Sequence, residues 1–258
     1  MNVLYDIATT DWQTLVDEDK KNILEYPEEL SFLNKSKIGT LNLICAQSGI
    51  GKSWFLSQFA ACMSEKYSIL YISLENDIGT DAERFVMLQS IYPHFKTARN
   101  ALYLQDPVWD SKEVMDVINT LPPFDIVCVD GLETKINCSP DSMFEVYKQE
   151  IKKIRDSFPK SCVWCSWQLT RNLSDKEPSL ADVSSSIAVG RLAYSATAIY
   201  KDKDTKRRLI KNIKGRGSDI DTKGTLTWGQ HFAPANQQSS AERKKVTTTL
   251  NALKDMPS

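Results

Sequence analysis

"TLNLICAQSGIGKSWFLSQFAACMSEKY", Thr40 to Tyr67, decides the fold. It opens on a nearly continuous apolar run, 40–46, and passes through a short loop with two glycines. It then continues through 53–67 with no proline or glycine. The first run reads as a buried strand. The second reads as a helix apolar around most of its girth, covered on more than one side. Between them, Ala46 to Ser53 fits the pattern G-x-x-x-x-G-K-[ST], with Ala46 in place of the first glycine. Gly49 and Gly51 let the backbone curl so that successive N–H groups face inward. The helix N-terminus adds partial positive charge. In such a loop Lys52 reaches the β- and γ-phosphates, and the Ser53 hydroxyl coordinates Mg²⁺. Gln47, Ser48, Gly49, Ile50, Gly51, Lys52, Ser53 and Trp54 are therefore predicted to cradle a nucleoside triphosphate, ATP, with Mg²⁺.

Outward from this stretch the pattern is strand, helix, strand, repeated. Further strands are predicted at 68–75, 101–106, 124–130 and 161–168, with helices at about 79–91, 111–120 and 141–158. Fully apolar strands separated by helices indicate a mostly parallel sheet covered by helices on both faces, an α/β fold. In the last third, "SATAIYK", "RRLIKNIK" and "TLTWGQHF" are short strands linked by turns. Such neighbours pair antiparallel and extend one edge of the sheet. Residues 1–36 are polar with scattered aromatics. They are expected to form an N-terminal arm or lid with one short helix ending near Pro27. The main domain is placed at 37–232, and a mobile tail at 233–258.

Two carboxylates stand where a phosphate loop needs them. "FDIVCVD" ends an apolar strand in Asp130, which would hold Mg²⁺ beside Ser53. The competing reading is a strand-terminating Asp that caps a turn. Asp130 is followed by Gly131, so the Asp-Glu pair of many ATPases is absent there. "LYISLEND" instead places Glu75 at the end of the strand after the phosphate-loop helix. Carboxyl ends of parallel strands share one crevice, so Glu75 can orient or deprotonate an attacking water. An exposed edge glutamate or a cap for the next helix are the blander readings. Glu133 competes as the base.

Composition narrows the classes. The chain has 258 residues, 41% of them hydrophobic, and a formal net charge of −1. That supports a real core and gives no uniform attraction to nucleic acid. No apolar run approaches a membrane span, and the N-terminus lacks a signal-peptide pattern. A soluble intracellular, cytoplasmic protein is expected. Cys162 and Cys165 match C-x-x-C, but residues three apart on a strand point to opposite faces, so core thiols are expected and not a metal pair. Trp54, Trp164 and Trp167 are read as core and not as base-stacking platforms.

Taken in order, these residues resemble the RecA-type ATPase core of DnaB-like ring helicases, including shorter phage and plasmid ATPases of that kind. The resemblance runs from about Ile38 to Phe232. "AQSGIGKS" is similar to the family's phosphate loop, "ISLEN" to the strand ending in its catalytic Glu, and "IVCVDG" to its metal-aspartate strand. "CSWQLTRN" is similar to its "SQL-x-R" strand end, which implies that Gln168 senses the γ-phosphate. "KEPSLADVSSSIAVGRLAYSATAIY" resembles the segment that carries the DNA-facing loop. "IKNIKGRGSDI" resembles "K-x-R-N-G", with Lys214 and Arg216 on the basic positions that reach a neighbouring subunit's γ-phosphate. Gly217 stands where the family has Asn, and the DNA-loop segment keeps the Ser-Ile but loses the acidic and glycine features around it.

The resemblance implies a ring-forming, homo-hexameric ATPase that moves on single-stranded DNA in replication. The 36 residues before the motor are too few for a primase-type domain, so a stand-alone motor, or one served by a primase or loader protein, is expected. The same core serves strand-exchange or annealing ATPases. A nucleotide-gated regulatory protein is a further alternative, favoured by the near-zero charge. A small-molecule kinase with Arg84 or Arg99 as lid residues is the weakest.

Overall fold

In the computed structural model, residues 11–97, 101–105, 116, 118, 120–135, 143–170, 177–183, 187–203, 207–215, 223–226 and 233–234 are described. Their strands are β1 (Leu41–Ala46), β2 (Ile69–Ser73), β3 (Ala101–Gln105), β4 (Ile126–Asp130), β5 (Cys162–Gln168), β6 (Ser195–Lys201), β7 (Arg208–Lys214), β8 (Lys223–Leu226) and β9 (Ala233–Pro234). They form one sheet in the order β3-β2-β4-β5-β1-β6-β7-β8-β9. The pairs from β3 through β6 are parallel. Those from β6 through β9 are antiparallel. The expected α/β sheet with an antiparallel edge is what the chain adopts. β6 is the hinge of that change, parallel to β1 on one side and antiparallel to β7 on the other.

The helices are α1 (Trp12–Lys21), α2 (Lys52–Met63), α3 (Ile78–Ile91), α4 (Pro93–Thr97), α5 (Leu132–Lys135), α6 (Met143–Ser157) and α7 (Ile187–Leu192). Of the helix expected at 111–120, residues 116, 118 and 120 are described and helical. Period-two alternation sends successive strand residues to opposite faces. Leu43, Cys45, Val163, Cys165 and Trp167 join one core with Ile151 and Ile154 of α6. Ile44, Ala46, Cys162 and Trp164 join the other with α2. Cys162 and Cys165 are thus free thiols in separate cores, as their spacing required. Trp54, Trp164 and Trp167 are buried. Trp164 packs on Phe59 with ring centroids 4.9 Å apart, and Trp167 meets Tyr147 edge-on at 5.1 Å.

Helix α2 is buried along almost its whole length, Lys52 included. The sheet covers one side, α3 another, and the segment 24–33 a third: Leu24, Leu30, Phe32 and Leu33 belong to the same core. α1 ends at Lys21, six residues before Pro27, because Ile23 turns into a bridge with Lys37 and Leu24 drops into the core. The following residues are stitched to β7. Asn212 Nδ2 donates to the Phe32 carbonyl at 2.7 Å, and Asn34 Nδ2 to the Lys214 carbonyl at 2.9 Å. Ala233 and Pro234, assigned from sequence to the tail, pair with β8; the residues after them lie outside the described set. Among the described residues no helix is long and apolar enough to cross a membrane.

Candidate active site

The strand order fixes the site. β2, β4, β5 and β1 are consecutive in the sheet and parallel, so their carboxyl ends line one edge. β2 leads to Glu75, β4 ends in Asp130, β5 in Gln168, and β1 in the phosphate loop.

The loop 47–51 turns through Gly49 at φ 74° and Gly51 at φ 114°, a left-handed region closed to most side chains. Gly51 is the N-cap of α2 and supplies no side-chain cap. The first-turn N–H groups of such a helix lack intrahelical acceptors and are available to an anion. Lys52 is only 9% exposed, with Nζ 3.5 Å from the Ala46 carbonyl. Trp54 faces the core, so only its backbone N–H can serve a phosphate. Gln47 Nε2 donates to the Thr170 carbonyl at 3.2 Å, tying the loop to the end of β5.

Asp130 is fully buried. Its Oδ2 accepts from Asn76 Nδ2 at 3.1 Å and from Tyr71 Oη at 3.4 Å. Its Oδ1 is buried without a hydrogen-bond partner. Burial raises its pKa, and the Ser53 and Ser166 hydroxyls partly offset that. A buried carboxylate oxygen without a partner is costly unless something fills the position. An oxygen-binding cation fits there: one carboxylate oxygen, the adjacent Ser53 hydroxyl and a phosphate loop are the donor set that Mg²⁺ takes.

Glu75 lies on an exposed bend after β2. It does not cap the next helix; Asp77 does, accepting the Thr80 N–H at 3.0 Å. Glu133, in α5, is more enclosed. Its Oε2 accepts the Gln168 backbone N–H at 2.5 Å. Its carboxyl is pushed up to about 7, chiefly by burial; the Gln168 N–H and Lys52 pull it down, while Glu75 and Asp130 push it further up. Both carboxylates named as base candidates therefore feel one another and the phosphate-loop lysine.

The remaining assignments are mixed. Lys214 Nζ donates to the carbonyls of Gly190, Arg191 and Ala193 at the C-terminus of α7, its own chain. Arg216, much of the DNA-loop segment and Arg99 lie outside the described residues. Arg84 is no lid cation: it is paired at 2.5 Å with the buried Asp81. Sequence reasoning missed this pair and the network it feeds. Tyr103 Oη donates to Asp81 at 3.0 Å, Arg84 to Ser57 Oγ at 3.4 Å, and Ser57 to Tyr71 Oη at 3.1 Å. It also missed Asn76, although that residue directly follows Glu75. Among the described residues no cluster of three His, Cys, Asp or Glu side chains could hold a metal.

A solved DnaB-like helicase ATPase domain superposes with TM-score 0.68 at 17% identity, covering 87% of this chain and 97% of its own. A second structure, described as a DnaB-like replicative helicase with its interactions with primase, also gives 0.68 and 17%, covering 87% of this chain and 68% of that one. The fold is that of a DnaB-like helicase ATPase core. In that RecA-like core the conserved geometry is the sheet edge described above, with loop, metal carboxylate and base on neighbouring strands. No family model matches the sequence, and no curated protein matches it.

Proposed function

We propose that the protein is an ATP-hydrolysing motor of DnaB-like helicase type, a ring-forming translocase or helicase on single-stranded DNA in replication. The observation that carries this reading is Asp130: buried, with one oxygen unmatched, beside Ser53 at the mouth of a glycine-turned loop. ATP would lie on the N–H groups of 47–54, with Lys52 against its β- and γ-phosphates. Ser53 and Asp130 would hold Mg²⁺, which supplies charge neutralisation to the phosphates when bound. Glu75 orients the attacking water and takes its proton as the new oxygen–phosphorus bond forms and the bond to the β–γ bridging oxygen breaks, leaving ADP and phosphate. Gln168 sits at the end of β5, its N–H anchored by Glu133, where a γ-phosphate sensor is needed.

Arg216 remains the proposed cation reaching the neighbouring subunit; arginines of that kind contribute about 10³–10⁵ in rate in other NTPases. Lys214 is proposed beside it, though its hydrogen bonds to α7 favour a supporting part. A ring-shaped homo-hexamer, single-stranded DNA, and a primase or loader are the proposed partners, and the cytoplasm the proposed location. The test is phosphate release with and without single-stranded DNA, together with electron microscopy in a non-hydrolysable ATP analogue. DNA-stimulated turnover and closed rings support the reading. DNA-independent turnover by a strict monomer contradicts it, and favours a nucleotide-gated regulator.

A further inference from the structure

The bend that carries Glu75 is pinned to the end of β4. The Leu74 N–H donates to the Asp130 carbonyl at 2.9 Å. The Asn76 amide donates to Asp130 Oδ2 at 3.1 Å. Gly131, at φ 82°, leaves the room: a Cβ there would fall 2.4 Å from the Glu75 Cβ. One short contact thus joins the residue after the proposed base to the proposed metal ligand. A second shows that base and ligand strands approach as closely as their backbones allow.

We propose that Asn76 is a positioning residue that sets two groups at once, the Asp130 carboxylate and the bend holding Glu75. The inference rests on the reading of Asp130 as metal ligand and Glu75 as base. With Oδ2 engaged by Asn76 and, more weakly, by Tyr71, rotation of the carboxylate is opposed and Oδ1 is the oxygen presented to the cation. Groups that hydrogen-bond a metal-ligating carboxylate orient it and tune its affinity, and their removal weakens metal binding by about 10- to 100-fold. The amide is suited to this place. It donates to a buried anion without adding charge, where Asp or Glu would repel and Lys would compete with the metal. Because Asn76 adjoins Glu75, the same bond limits how far the base can swing from the metal.

The test uses the full chain and reads Mn²⁺ binding to the ADP-loaded protein by electron paramagnetic resonance, ADP binding in EDTA by calorimetry, and melting temperature. Asn76→Ala is expected to weaken Mn²⁺ binding about tenfold, with ADP affinity in EDTA and melting temperature unchanged. Asn76→Gln, which keeps the amide donor, is expected to recover part of the loss. Unchanged Mn²⁺ binding in Asn76→Ala overturns the proposal. So does a loss of metal-free ADP binding in step with a fall in melting temperature, since Asn76 would then merely hold the fold. Asp130→Asn separates the two levels: if it binds Mn²⁺ as the wild type does, the metal-ligand reading itself fails and the role of Asn76 falls with it.

Discussion

The Glu133 carboxylate accepts the backbone N–H of Gln168 at 2.5 Å, so the chain just past β4 grips the end of β5 through one side chain. Burial pushes that carboxyl from an ordinary 4.5 up to about 7. The folded protein therefore keeps a proton there that the unfolded chain has already released. This contribution to stability is complete below about pH 4.5 and is lost as pH rises through about 7. Glu133→Gln keeps an acceptor for the Gln168 N–H and cannot titrate. Denaturant melts across pH 4.5 to 7 should show wild-type stability falling relative to the variant as pH rises. Parallel curves would contradict the burial assigned to Glu133.

Asp81 is wholly buried, and its charge is matched by Arg84 at 2.5 Å. Truncating one partner of such a pair leaves an uncompensated charge and costs about 3–5 kcal/mol. Arg84→Ala is expected to destabilise by about that amount, moderated by the Tyr103 hydroxyl that still donates to Asp81. The double variant Asp81→Leu with Arg84→Met should recover most of the loss. Urea unfolding of all three proteins measures it.

Lys214 and Arg216 should separate by experiment. Lys214 closes the C-terminus of α7 with three carbonyl contacts, where a cation also meets the negative end of the helix. Lys214→Ala is expected to lower stability by about 1–3 kcal/mol. Arg216→Ala should leave stability unchanged and abolish turnover while each subunit still binds nucleotide. Mixing Arg216→Ala with Glu75→Gln subunits should restore some activity, because a mixed interface pairs an intact base with an intact finger. No recovery in demonstrated mixed assemblies would argue against action in trans.

The phosphate loop, the strands and the two faces of β5 were legible because they depend on local pattern. Apolar runs mark buried strands, glycines mark the turn, and period two separates Cys162 from Cys165. What was not legible depends on pairings distant in sequence. Asn76 meets Asp130 only because β2 lies beside β4, a neighbour 50-odd residues away in the chain. Asp81 and Arg84, three apart on a helix, read as a solvated pair until Tyr103 on β3 and Ser57 on α2 close over them. Leu24, Leu30, Phe32 and Leu33 sit among polar residues, so their burial against α2 could not be inferred from their surroundings in sequence.

The central claim is that Glu75, at the end of the strand next to Asp130, is the base for hydrolysis of a nucleotide held by the loop at Lys52. Single-turnover phosphate release from bound ATP tests it most directly. An amide can hold the water but cannot accept its proton. Glu75→Gln should therefore bind ATP as the wild type does and release phosphate at least about 100-fold more slowly, within the range ascribed to general bases. Glu133→Gln should keep most of the rate, and Lys52→Ala should lose binding and turnover together. A severe defect in Glu133→Gln with wild-type release by Glu75→Gln would contradict the account.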